Sequence, residues 1–157
     1  MPLTSSEKKD YILRMIEEIR QMLAAMMGRV REGGSPDEIL ARAREGVGKL
    51  LGPLASVAPR MDSVTAAQMV GEPDVLAAWA EVVAAEADVH AARGDAVAAG
   101  AAARRALELA LEAHLRTTSD HADLLALVAR LRPQVPATAL APRHQDALAA
   151  LPPAEQA

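Results

Sequence analysis

Residues 82–109, VVAAEADVHAARGDAVAAGAAARRALEL, decide the fold class. Two Ala-rich runs meet at Gly94-Asp95. Ala is the best helix former, Gly takes the left-handed conformation that stops a helix, and an Asp side chain accepts from the first free amides of the next one. The stretch therefore reads as helix, stop, cap, helix. Working outward, Pro73 opens the first of these helices, which runs to about residue 93, and the second reaches about residue 116.

The same punctuation organises the rest of the chain. Thr4 and Glu7 have capping-box spacing and predict a helix from about Ser5 to Arg31, broken by EGGSP at 32–36. Ser35-Pro36-Asp37-Glu38 is a second start, with Ser35 as cap, and Gly52-Pro53 ends that helix. Residues 53–73 read as loop with one short helix, Val64 to Val70, closed by Gly71. Thr118 or Ser119 caps a further helix that ends before Pro133. We expect a helical domain over 1–133 and a Pro/Ala-rich tail over 134–157 holding one short helix at about 143–150. The fold class is all-α, with five to seven helices stacked as antiparallel hairpins.

Composition narrows the function classes. Hydrophobic residues make up 51% of the 157, yet aromatics are 1%, with Trp79 and Tyr11 the sole Trp and Tyr and no Phe. Ala alone is roughly a quarter of the chain, well above ordinary usage. The absence of Cys removes disulfides, thiol nucleophiles and zinc–thiolate sites. A net charge of −4 argues against nucleic-acid partners. The charge is uneven: residues 1–60 carry ten Lys/Arg against eight Asp/Glu, and residues 61–157 carry seven against thirteen. No run reaches the ~18 uninterrupted apolar residues of a membrane span. The charged N-terminal stretch lacks the apolar run of a signal peptide, so the expected setting is cytoplasmic.

Two resemblances add to this reading. Around Gly94 the hairpin resembles a tetratricopeptide repeat, with small residues at the helix crossing, Ala87, Ala99 and Ala106, and departures at His90 and Ala103. The first pair, turning at Gly33-Gly34, has Met27, Ile39 and Gly46 at the corresponding places and fits less well. In addition, DYILRMIEEIRQML at 10–23, the KLLG at 49–52 and the Gly-Asp turn resemble a bacterial domain-of-unknown-function family. That likeness spans roughly residues 10–116 and implies a helical, repeat-like build and a bacterial origin, with no activity attached.

The first helix carries the sharpest surface pattern. Ile12, Met15, Ile19, Met22 and Met26 follow the 3-4-3-4 spacing of a coiled-coil seam, and Ile16, Leu23 and Val30 widen it toward a core-facing stripe. The stripe serves either this chain's own core or a shared helical interface, since Met-rich faces adapt to varied partners. The expected interface is Tyr11, Met15, Ile19, Met22 and Met26, with Arg14 and Glu18 at the rim. Ala-rich helices bury little area per residue, which also favours close neighbours or self-association.

Catalytic and cofactor signals are sparse. His114 and His121 flank HLRTTSDHAD with Asp120 and Asp123 nearby, a conceivable metal site without a recognised ligand spacing. Asp120 and Asp123 equally suit a helix N-terminus. His90 follows Glu86 by one turn, which fits an ordinary helical pair or a proton relay. No di-iron Glu-x-x-His, HExxH, GxGxxG, phosphate-loop or nucleophile-elbow motif occurs. Trp79 reads as a core anchor or an interface hot spot. The expectation is a non-catalytic interaction or scaffold protein without a cofactor, binding a protein partner or itself. An accessory subunit of a larger enzyme assembly comes second, and a metal-dependent regulator or enzyme centred on the His pair third.

Overall fold

The computed structural model describes residues 4–118 and 121–152, and within them every regular element is helical. Helices α1 (Ser5–Arg31), α2 (Asp37–Leu51), α3 (Ser63–Val70), α4 (Pro73–Ala92), α5 (Ala96–Arg116), α6 (Ala122–Leu131) and α7 (Pro142–Ala149) follow in order. Short 3₁₀ turns occupy Gly52–Ser56, Ala58–Arg60, Arg132–Gln134 and Ala137–Ala139. The all-α class with five to seven helices is what the structure shows.

Local chemistry sets most boundaries. Thr4 Oγ1 accepts from the Glu7 amide at 3.1 Å and the Glu7 carboxylate accepts from the Thr4 amide at 3.3 Å, completing the capping box. Asp62 and Asp95 accept from Thr65 and Ala98 amides at 3.2 and 3.0 Å. Gly33 and Gly94 take φ of 79° and 78°, the left-handed turn that joins each helical pair.

Two expected caps differ. Pro36 is the N-cap of α2, and Ser35 Oγ instead meets Asp37, because the chain turns one residue later than the capping-box spacing implies. His121 is the N-cap of α6 and gives no side-chain cap bond, so Thr118 is not the cap, while Ser119 lies outside the described residues.

The α4–α5 hairpin is the centre of the molecule. α1 and α2 pack on α4, while α3, α6 and α7 pack on α5. Ala78, Ala80, Ala84, Ala103, Ala106, Ala110 and Ala113 are all buried, which lets neighbouring backbones approach closely. The Ala-rich helices thus find their close neighbours within this chain. α1 meets α2 at a point where a side chain is missing: a Cβ on Gly46 would lie 3.0 Å from Ile19 Cγ1.

Residues 135–148 join the same core. Val135, Leu140, Ala147 and Leu148 are buried in one cluster with Leu76, Leu107 and Leu131. The short helix expected at 143–150 is α7, and it sits against α5.

Candidate functional site

A groove of about 420 Å³ runs between α1, α4 and α6. Helical spacing aims Arg20, Leu23 and Met27 into it from α1, and Glu81, Ala85 and Asp88 from α4. Asp123, Ala126, Leu127 and Arg130 close it from α6. Its floor is apolar and its rim is charged. Arg20 Nε donates to both Glu81 oxygens at 3.3 Å, and its terminal nitrogen lies 3.5 Å from Asp123. Arg130 pairs with Asp88 at 3.2 Å. Burial pushes the Glu81 carboxyl above its ordinary value, against the opposing pull of Arg20.

The expected interface residues divide around α1. Ile19 and Met26 are 0% exposed and belong to this chain's core, so they offer no surface to a partner. Met15 and Met22 are half-buried against that core. Tyr11, Arg14 and Glu18 are exposed. Helical spacing puts these five on one flank of α1, where Met15 Sδ sits 3.9 Å from the Cβ position of Gly46 on α2. The groove opens on the other flank, which presents Leu23 and Met27. A helical face was legible from periodicity, but which of its two flanks meets a concavity depends on α6, more than ninety residues away.

The strongest polar cluster was not anticipated. Glu112 on α5 is 0% exposed and receives three donors. Arg116 Nη1 donates at 2.6 Å, Arg143 Nε at 2.9 Å, and His144 Nε2 lies 2.7 Å away. Burial alone would raise the carboxyl, but hydrogen bonds from Arg143, Arg116 and His144 outweigh it and hold the group at about 2. His144 is 2% exposed, and its Nδ1 is buried without a hydrogen-bond partner among the described residues. Only the Glu112/Arg116 half was visible in sequence, as an i,i+4 pair.

His114 Nδ1 and His121 Nε2 come together at 2.8 Å, with ring centroids 5.0 Å apart and planes tilted by 42°. One ring donates and the other accepts. Burial and then the neighbouring His121 push the His114 pKa below its ordinary value. Among the described residues no group of three or more His, Asp or Glu is placed to hold a metal. Asp120 lies outside those residues, and Asp123 faces Arg20. Glu86 pairs with Arg44 at 3.0 Å. Trp79 is buried in the core cluster beneath Arg105, whose guanidinium carbon is 5.2 Å from the ring centroid.

No helix among the described residues is long and apolar enough to cross a membrane. Compared with known proteins, the chain matches no family model, no curated protein and no solved structure.

Proposed function

We propose that this is a non-catalytic helical scaffold that associates with a second copy of itself through the α1–α4–α6 groove. The observation that carries the reading is the groove's make-up: an apolar floor of Leu23, Met27, Ala85, Ala126 and Leu127 inside a rim bearing both signs of charge. An apolar cleft of this kind takes the apolar stripe of an amphipathic helix. A rim holding Arg20 and Arg130 beside Glu81, Asp88 and Asp123 suits a two-fold contact, in which each surface meets its own copy. Met27 supplies an adaptable wall.

The non-catalytic part of the reading rests on burial. Glu112 and His144 are the pair most like an acid–base dyad, and both are sealed inside the α5–α7 contact, away from any substrate.

The test is the solution mass of the intact chain and of Ala126→Arg, by light scattering on a sizing column. Ala126 is exposed on α6, so the variant keeps its fold while placing a long cation across the groove. A discrete oligomer for the intact chain and a folded monomer for the variant support the reading. An intact chain that stays monomeric into the high micromolar range ends it.

A further inference from the structure

Helix α4 faces a second concavity on its opposite side. The spacing that sends Glu81, Ala85 and Asp88 to the first groove sends Trp79, Val82, Val83 and Glu86 the other way. There α2, α5 and the turn after α2 complete a cavity of about 470 Å³. Val47 and Leu51 of α2 and Val82 and Val83 of α4 give it an apolar lining.

Two arginines reach this cavity, and they differ. Arg44 is neutralised by Glu86, Nε to Oε1 at 3.0 Å. Arg105 makes no direct ion pair with any described residue, and the Glu108 and Asp62 carboxylates act on it only through space. Its Nη1 donates to Ser63 Oγ at 2.9 Å and its Nη2 to the Ala58 carbonyl at 3.3 Å. Both acceptors are neutral, and the Ser63 hydroxyl in turn donates a hydrogen bond to the Glu108 carboxylate at 2.8 Å. A guanidinium has five N–H donors, so it keeps capacity for an anion. Partly buried and laid over Trp79, it is also partly stripped of the water that would otherwise satisfy it.

We propose that this cavity binds a small aliphatic carboxylate, with the carboxylate on Arg105 and the chain along Val47, Leu51, Val82 and Val83. The charge-assisted bond orients the head, and the apolar lining takes the tail. The volume falls within the ~300–1,000 Å³ usual for small-ligand sites. The site is separate from the α1–α4–α6 groove and stands whether or not the chain self-associates.

Trp79 is the sole Trp, so intrinsic fluorescence of the full chain reads this cavity directly. The experiment titrates the protein with decanoate below its micellar concentration, and in parallel with decanol and decyltrimethylammonium. The expected result is saturable binding of decanoate at least tenfold tighter than decanol, with the cation weaker still. Arg105→Gln should abolish the preference for the carboxylate. Because Arg105 also ties α5 to the Ala58 turn and α3, a second variant protects the test. Ala101→Glu sets a carboxylate on the cavity's own lining, one helical turn before Arg105, and gives the guanidinium an internal partner. That variant should stay folded by circular dichroism, bind decanoate at least tenfold more weakly and lose the preference for decanoate over decanol. Equal affinity for all three ligands, absence of saturation, or unchanged decanoate affinity in folded Ala101→Glu overturns the proposal. A purely structural Arg105 would alter stability without discriminating between head groups.

Discussion

Glu112 meets more ionic partners than any other side chain in the described structure. It holds one negative charge, out of water, against two guanidiniums and an imidazole. Removing the carboxylate leaves His144 and most of Arg116 out of water without a counter-charge, on the scale of roughly 3–5 kcal/mol for a broken buried pair. Glu112→Gln should therefore lower the unfolding free energy by about that amount, read from urea midpoints at pH 7. Arg143→Gln should be milder, because that side chain is half exposed and water replaces its partner. The pH dependence has a definite sign. The folded carboxyl is lowered from 4.5 to about 2, so its contribution is complete above the unfolded value and is lost as pH falls from there toward 2. Urea midpoints measured between about pH 5 and pH 2.5 should fall steeply for the intact protein and less steeply for Glu112→Gln; parallel curves would remove Glu112 from the acid transition.

The contact between α1 and α2 depends on a missing methyl group. A Cβ at Gly46 would press on Ile19, which is fully buried and has little room to yield. Gly46→Val should overpack this contact and cost roughly 1–3 kcal/mol, measurable as a lower thermal midpoint. Gly48, two residues on, has open space at its Cβ, so Gly48→Ala should instead be neutral or stabilising through helix propensity. Elements of this kind were largely legible in the sequence. Thr4, Gly71, Gly94 and Asp95 mark real helix ends because a cap is a bond between residues two to four apart. The partners of Glu112 were not legible, since Arg143 and His144 lie 31 and 32 residues away and no local pattern joins them to it. The same limit hid the groove. Met27 and Ala126 carry no chemical mark of their own, and only the packing of α6 beside α1 and α4 gives them a shared surface.

At the scale of the whole molecule, two titrating regions separate by pH. The paired His114 and His121 sit where α5 hands over to α6, and the His114 pKa is lowered from 6.5. A depressed histidine makes the unfolded chain take up its proton first, so stability is highest above about 6.5 and declines as pH falls below it. Urea midpoints should therefore drop modestly between pH 7.5 and 5.5, and His114→Gln should flatten that drop. The deeper loss from Glu112 should follow only in stronger acid. A single transition at one pH would show that the two regions are not independent.

The central hairpin has a consequence for how the chain reaches this structure. Alanine has no side-chain rotamers to freeze, so ordering α4 against α5 sacrifices almost only backbone freedom. The two helices are also joined by a turn of about three residues around Gly94, so closing the loop between them is fast and entropically cheap. The hairpin is thus the natural nucleus, with α1 and α7 docking later from the two ends of the chain. Substitutions at Ala84 or Ala106 should slow refolding, whereas substitutions at the Glu112–Arg143 contact should mainly speed unfolding. In hydrogen exchange, the amides at the centres of α4 and α5 should be the last to open, and those of α7 among the first.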